Sequence, residues 1–351
     1  DNPRIKVFTL AKIEKVDGTP GNYDVTVKLA PRYVNENCTC CGDCAEASQT
    51  EIDSEFDFGM QKVNGAYLPF EMAFPARFVI SPEIIGSDDA QRCKDACKYD
   101  AVDFEMEAKT LNFNVGSIVW ATGWEPYDAT KIDNLGFGQY PNIITNMMME
   151  RLASPNGPTK GKIVRPSDDK APESIAFVQC AGSRDENHLP YCSYICCMAS
   201  LKQATYVRER YPDAKIYVFY IDLRTPGLRY ERFYEQIKKD ENIFLIKGKV
   251  AEVSEDPTNK NISVVAENAV TGEKIHQTVE MVVLATGMQP TTATTKLPAD
   301  LTYNDDGFII NDFETGGMFA AGCANKPADV VSSNQNATGM ALKAIQTLMN
   351  R

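Results

Sequence analysis

Four cysteines stand close together near the middle of the chain: Cys180, Cys192, Cys196 and Cys197. Cys192 and Cys196 are four residues apart, so they would share one face of a helix, and Cys197 follows directly. Four thiolates around one helix N-terminus can hold an iron–sulfur cluster, and the helix dipole would favour its negative charge. The spacing therefore predicts an iron–sulfur site in this stretch.

Three other interpretations of these cysteines stay open. A structural zinc site usually shows two C-x₂₋₄-C pairs, which the doublet at Cys196 and Cys197 does not provide. A set of disulfides would need an oxidising compartment, and core packing rarely uses four cysteines in so short a stretch. The chain has eleven cysteines, and an odd number gathered in groups favours metal ligation in a reducing cytoplasm.

A strand and a helix must position these four cysteines. Residues 174–178 have the apolar, β-rich character of a buried strand, and the pattern predicts a helix over residues 193–211 that stops before Pro212. A strand that passes through a glycine turn into a helix is where a nucleotide-binding unit holds phosphates. Only Gly182 of the expected G-x-G-x-x-G is present, so cysteines take the place of the phosphate turn.

An earlier group of cysteines has part of a ferredoxin pattern: Cys38, Cys41 and Cys44. A ferredoxin run would continue with a fourth cysteine, but that place is Ser48. Cys93 and Cys97 resemble the end of a second run, and the fourth cysteine of each run serves the other run's cluster.

One ferredoxin-type cluster is therefore expected, with the ligands Cys38, Cys41, Cys44 and Cys97. The other cluster would need residues 48, 87, 90 and 93, of which only Cys93 is a cysteine. Cys40 and Cys93 are predicted to be packing residues. A zinc site or a remnant without a cluster is the alternative for this region.

An internal repeat divides the chain. Ala121, Thr122 and Gly123, followed by Pro126, recur at residues 285–287 and 290, each time after a β-rich run. The repeat predicts an α/β protein with two Rossmann-like, nucleotide-binding domains. In the second repeat, residues 174–239 supply a strand, a turn and a helix ahead of the point where the two repeats begin to match. The first repeat is expected to lack a counterpart of residues 174–239. The missing segment would have roughly sixty to seventy residues and would include any first G-x-G-x-x-G.

A strand followed by a glycine turn and a helix occurs again near residue 320. In two-domain flavoproteins this place carries Gly-Asp, and the helix N-terminus faces the flavin, whose reduced anion it would stabilise. Cys323 stands where the aspartate would be. The predicted flavin-contacting residues are Ala121, Thr122, Gly123, Gly322, Cys323, Ala324 and Pro327.

The predicted division has three parts. A flavin-binding domain takes residues 1–32, 106–172 and 288–351, a ferredoxin-like insert takes residues 33–105, and a second nucleotide-type domain with the iron–sulfur site takes residues 173–287. The net charge of −12 argues against nucleic acid or an anionic membrane as partners. No apolar run reaches the ~18 residues of a membrane span, so any membrane link would run through another subunit.

These motifs together resemble the flavin-binding A subunit of heterodisulfide reductases. The likeness covers essentially all 351 residues. It is greatest to the family's branch in the quinone-interacting membrane-bound oxidoreductase of sulfate reducers. The segments that carry it are the ferredoxin-like insert and residues 178–185, 191–198 and 320–323.

The resemblance implies a non-covalent FAD. The two cysteine sets predict two [4Fe–4S] clusters, and the two repeats predict a fold of the pyridine-nucleotide disulfide oxidoreductase type. The resemblance also implies electron transfer in the cytoplasm together with sister B and C subunits. In the sulfate-reducer branch the C subunit provides the contact with membrane and quinone, and electrons pass towards adenylylsulfate reductase. The family has a lysine five residues after the cysteine doublet, here Lys202, which is expected to approach the flavin and favour its reduced form; a solvated surface lysine is the alternative.

Three other functions remain open at this point. The chain could belong to a heterodisulfide reductase-type complex, with or without electron bifurcation. It could be a nicotinamide-dependent dehydrogenase in which Asp222, at the end of a strand, binds a ribose, although the phosphate turn is wrong for it. It could also be a scaffold whose clusters are only structural.

Overall fold

The chain forms two compact units in a computed structural model that describes residues 2–349. One unit runs to Ile118 and also takes Leu297–Asp300 and the chain from Thr347; the other takes Val119–Lys296 and Leu301–Gln346. The predicted ferredoxin-like insert lies in the first unit, and the cysteines of residues 180–197 lie in the second. Among the described residues, no helix has both the length and the apolar character needed to cross a bilayer.

The first unit contains a three-stranded antiparallel sheet in the order β1-β2-β7, with the cysteine-rich segment inserted between β2 and β7. Its strands and α-helices are β1 (Ala11–Thr19), β2 (Asn22–Leu29), α1 (Asp43–Ala47), β3 (Glu51–Asp53), β4 (Lys62–Asn64), β5 (Ala66–Tyr67), β6 (Val79–Ile80), α2 (Asp88–Ala96) and β7 (Lys109–Val115). The insert has its own small core, in which Val34, Ile80 and Val102 pack with Cys44 and Cys93.

The second unit is built on a seven-stranded sheet in the order β10-β16-β11-β12-β13-β14-β15. The remaining elements are β8 (Ile118–Trp120), β9 (Trp124–Pro126), β10 (Ile143–Thr145), α3 (Asn146–Ala153), β11 (Ser174–Ala181), α4 (Cys196–Arg210), β12 (Lys215–Tyr220), α5 (Leu228–Ile237), β13 (Ile243–Glu255), β14 (Ile262–Asn268), β15 (Lys274–Val279), β16 (Met281–Thr286), β17 (Met288–Pro290), β18 (Met318–Ala320) and α6 (Val330–Met349). The strands from β10 to β13 in this order are parallel, whereas β13, β14 and β15 are antiparallel. The apolar runs of β11 and β16 are buried throughout, as expected for central strands of a parallel sheet. The predicted α/β class is confirmed.

The internal repeat has a structural counterpart. In the second repeat, β13, β14 and β15 precede β16, which ends at the Ala-Thr-Gly motif. In the first, β1, β2 and β7 precede β8, which ends at the same motif. The short strands that follow the two motifs, β9 and β17, pair with each other antiparallel, with Met288 opposite Pro126.

One short strand from the segment predicted for the flavin-binding domain belongs to the seven-stranded sheet. Ile143–Thr145 pair in parallel with Val282–Leu284, so β10 forms the edge of the seven-stranded sheet. All three residues of β10 are buried. A strand of three residues has too little sequence pattern to show which sheet it joins.

Candidate iron–sulfur and flavin sites

The cysteines of residues 180–197 meet at the carboxyl edge of the parallel sheet. Cys180 lies at the end of β11, Cys196 and Cys197 open α4, and Cys192 lies in the loop between them. The thiol of Cys196 donates to Thr286 O at the end of β16 (3.7 Å), and that of Cys197 donates to Asp222 O after β12 (3.6 Å). Ligands bind at this edge in open α/β sheets, so the cysteines occupy the usual binding position.

The four thiols are close enough to change one another's acidity. Burial raises the pKa of the Cys196 thiol, and Cys180, Cys197 and Cys192 raise it further. Burial and the neighbouring thiols likewise raise the pKa of Cys180 to about 11. Burial also raises the pKa of Cys197. Without a cation the thiols of Cys180, Cys196 and Cys197 would stay protonated near neutral pH, whereas a bound metal centre stabilises thiolates. The donor set therefore fits a cationic iron core.

A network of small polar residues fixes the loop that carries these cysteines. The hydroxyls of Ser183 and Ser193 are 2.7 Å apart, and Met288 N donates to Ser193 Oγ at 2.9 Å. A Cβ on Gly287 would overlap Ser183 Oγ and lie 2.6 Å from Ser193 Oγ. The second Ala-Thr-Gly motif thus needs its glycine because the loop packs directly on it, and neither serine was among the predicted site residues.

Arg184 is a further residue of this site that the sequence analysis did not select. Its Nη2 donates to Asp222 Oδ2 at 3.1 Å, and its guanidinium interacts with the thiols of Cys180 and Cys192. The Nη1 atom is buried and has no hydrogen-bond partner in the described part of the protein. An anionic cluster would supply the missing acceptor. The Asp222 carboxylate, which a dehydrogenase would use for a ribose, is paired with this arginine.

The predicted flavin residues lie in two segments of the second unit. Ala121, Thr122 and Gly123 join β8 to β9, with Gly123 at φ +76° and open space where a Cβ would stand. Thr122 Oγ1 is buried without a hydrogen-bond partner among the described residues, as expected where a polar ligand group completes the site. Gly322, Cys323 and Ala324 form a 3₁₀ turn after β18, and Pro327 follows ahead of α6. The residues present fit a flavin.

The turn at Gly322 is held by residues outside the predicted set. Gly322 N donates to Asn336 Oδ1 at 2.8 Å, and the Cys323 thiol donates to Ala328 O at 3.5 Å. Cys323 is therefore buried in its own turn. The role of Asn336 had no local signal in the sequence, because it lies within the following helix α6.

One packed group contains Cys323 of the predicted flavin site and a neighbour of the predicted iron–sulfur site. Met288, Cys323 and Ala328 are buried together, and Trp124 and Ile195 pack against them. Trp124 directly follows the first Ala-Thr-Gly motif, and Ile195 directly precedes Cys196. The structure thus brings the flavin-type turn and the cysteine loop into one contiguous apolar group.

Lys202 lies on α4 and makes an ion pair with α3. Its Nζ is 2.9 Å from Glu150 Oε1 and lies over the ring of Tyr206. Partial burial lowers the pKa of Lys202, but Glu150 and Tyr206 outweigh that effect and raise it overall. The lysine therefore keeps its charge, and its approach to a flavin stays a prediction.

The four ligands predicted in the insert line one cavity of the first unit: Cys38, Cys41, Cys44 and Cys97. Burial, together with the neighbouring thiols of Cys93, Cys38 and Cys97, raises the pKa of Cys44 to about 12. Ala101 N donates to Cys97 Sγ at 3.3 Å, a contact typical of a thiolate ligand. Within residues 2–349, no group of three or more His, Cys, Asp or Glu side chains is spaced to share a single metal ion. A cluster carries one thiolate on each iron, so its ligands lie farther apart than those of one ion.

The position of the second ferredoxin cluster is filled by protein. Ser48 Oγ donates to Asp89 Oδ2 at 2.8 Å, and Ser87 caps α2. Ala90 and Cys93 are buried in the core of the insert. Burial raises the pKa of Asp89, but hydrogen bonds from residues 48–50 outweigh it and hold that pKa below its usual range.

The fold and these residues define an α/β protein of two Rossmann-like repeats with two cysteine sets. No family model matches the chain. Several curated relatives match almost all of it, and they are A subunits of heterodisulfide reductases. The iron–sulfur A subunit 2 of the CoB–CoM heterodisulfide reductase of Methanopyrus kandleri is 39% identical over 99% of this chain and 54% of its own length. The A subunit of the H2/formate:CoB-CoM heterodisulfide,ferredoxin reductase of Methanococcus maripaludis is 36% identical over 97% of this chain and 53% of its own.

By sequence, the chain is similar to the A subunits of heterodisulfide reductases, and the predicted resemblance to them is confirmed. The chain spans about half the length of the curated relatives it matches. Among solved structures, it is similar to the thioredoxin reductase of Lactococcus lactis in its FR conformation, at 15% identity and a TM-score of 0.45 over 82% of this chain and 86% of that one. The thioredoxin reductase of T. acidophilum gives 14% identity and a TM-score of 0.43 over 89% and 87%.

Proposed function

We propose that this chain is the electron-transfer core of an iron–sulfur flavoprotein, an oxidoreductase subunit that works within a larger complex. The observation that carries the proposal is the packed group that contains Cys323 of the flavin-type turn and against which both Trp124 and Ile195, next to Cys196, pack. A bound FAD would supply the exchange between one-electron and two-electron transfer. Residues 121–123 and 322–327 would hold it, and the two cysteine sets would each hold a [4Fe–4S] cluster.

Nicotinamide chemistry is disfavoured by the site itself. A pyrophosphate needs free N–H groups at the N-terminus of the helix that follows the first strand of the unit. Here that helix opens with Cys196 and Cys197, and an anionic cluster at this position would fill the space and repel a phosphate. The pairing of Asp222 with Arg184 removes the remaining ribose ligand.

In its finer form, the proposal places the chain between the quinone pool and cytoplasmic adenylylsulfate reductase in sulfate respiration. Sister B and C subunits would be its partners, with quinone reached only through the membrane subunit. The protein would then be cytoplasmic and peripherally attached to the inner face of the membrane. The acidic charge and the resemblance of the motifs to the sulfate-reducer branch support this assignment.

A second candidate is the A-type subunit of a heterodisulfide reductase complex, with or without bifurcation. The similar proteins favour it, because they are CoB–CoM heterodisulfide reductase subunits. The two candidates differ in the acceptor. The native complex, reduced by a quinol analogue, should pass electrons to adenylylsulfate reductase in the first case; in the second, a low-potential donor should drive reduction of the CoB–CoM heterodisulfide.

The deciding experiment is a spectroscopic and metal analysis of the anaerobically purified complex. We expect one FAD and two clusters per chain, with visible and EPR signals that reduce reversibly. A scaffold would show no reversible centre. Rapid bleaching of the isolated subunit's flavin by stoichiometric NADH would instead establish a dehydrogenase.

A further inference from the structure

Arg184 is held in one place between the cysteine loop and the end of a neighbouring strand. Its backbone N donates to Tyr191 O at 3.0 Å, and its Nη2 donates to Asp222 Oδ2 at 3.1 Å. The residue has φ +56°, a left-handed conformation that is unfavourable for a side chain of this size. Such strain persists only where the surrounding structure demands it, often at a ligand clamp.

The guanidinium faces the cysteine set. It interacts with the thiols of Cys180, Cys192 and Cys197. Its Nη1 is buried and finds no acceptor among the described residues. A buried donor without an acceptor is costly, so the position calls for a bound acceptor beside the thiols.

The charges of the pair do not cancel at the cysteine site. The Arg184 side chain is 27% exposed and the Asp222 side chain 53% exposed. The carboxylate is therefore the better screened of the two by water, and the positive charge dominates on the buried side.

We propose that Arg184 sets the reduction potential of the cluster held by Cys180, Cys192, Cys196 and Cys197, and that Asp222 fixes its guanidinium. This inference rests on the proposed function. An added electron makes a thiolate-ligated cluster more negative, and a fixed cation with a free N–H donor stabilises that state. Arg184 thus raises the potential of the cluster, which eases its reduction.

The test is an EPR-monitored potentiometric titration of the native complex. The cluster signal is identified as the one lost in Cys196→Ala, with iron counted in parallel. Arg184→Gln removes the positive charge, so we expect the ratio of oxidised to reduced cluster at a fixed potential to rise at least tenfold. For a one-electron couple this corresponds to a midpoint potential lower by about 59 mV. Asp222→Asn keeps an acceptor for Nη2 but removes the opposing charge, so its midpoint should rise.

The exposed Lys170 provides the matched control. It precedes the start of β11, at the opposite end of the strand that carries Cys180, and its side chain is 76% exposed. Lys170→Gln should leave the midpoint unchanged; an equal shift there would overturn the inference.

An unchanged midpoint in Arg184→Gln, or a lower one in Asp222→Asn, also overturns it. If Arg184→Gln loses iron, the direction in which Asp222→Asn shifts the midpoint potential tests the inference by itself. Equal iron in Cys196→Ala and wild type would instead refute the cluster itself, and with it the proposed function.

Discussion

Gly287 and Gly123 occupy the same place in the two Ala-Thr-Gly motifs, yet alanine should affect them differently. A Cβ on Gly287 would overlap Ser183 Oγ and lie 2.6 Å from Ser193 Oγ and 2.7 Å from Leu189 Cδ1. Both serines are buried, so three neighbours must move by roughly 1 Å to restore ordinary contact distances, and overpacking of this kind costs about 1–3 kcal/mol. Because the same loop carries Cys180 and Cys192, we expect Gly287→Ala to lose iron as well as stability.

Gly123→Ala is the matched variant. Nothing lies within 4 Å of its Cβ position, but the φ of +76° strains an alanine by roughly 1–2 kcal/mol. It should therefore lower stability while leaving the iron content intact. Denaturant unfolding followed by circular dichroism, with iron counts on the folded protein, measures both effects.

A partial rescue tests the cause of the Gly287→Ala defect. Ser183→Ala removes the oxygen that the new Cβ meets first, so the double variant should be less destabilised than the two single changes summed. Wild-type stability and full iron in Gly287→Ala would refute the steric argument, as would strict additivity in the double variant.

Two further predictions concern the cysteines and the insert. Alanine in place of any of the eight proposed ligands should remove about one cluster, near four irons. By contrast, Cys93→Ala and Cys40→Ala should keep the iron content, and loss of four irons in Cys93→Ala would overturn the ligand assignment. Asp89→Asn should destabilise the insert by about 1–3 kcal/mol, because a buried acceptor of several hydrogen bonds loses its charge. Since the folded pKa of Asp89 is lowered, its stabilisation is present above about pH 4, the ordinary value for aspartate, and is lost as the pH falls below it. The difference in unfolding midpoint between wild type and Asp89→Asn should therefore shrink in acid, and a constant difference would contradict this reasoning.

The spacing of residues along the chain determined the cysteine sets and the repeat. The cysteine spacing of ferredoxins alone predicts one ligand set, Cys38, Cys41, Cys44 and Cys97. The structure places these four residues around one cavity. Cysteine spacing within a turn or helix is a local property, so the sequence carries it directly. Their role as cluster ligands stays a prediction until iron is measured.

Only the tertiary structure decided which distant segments meet. The pairing of β9 with β17, the place of β10 in the large sheet and the packing of Ile195 against the group that contains Cys323 join residues far apart in sequence. The ion pair of Arg184 with Asp222 likewise joins the ends of two strands. Such contacts depend on how buried strands are ordered in a sheet, and an apolar strand of a few residues does not specify its neighbours. The sequence by itself therefore determined which residues could carry redox chemistry, and the packing of the sheet decided what surrounds them.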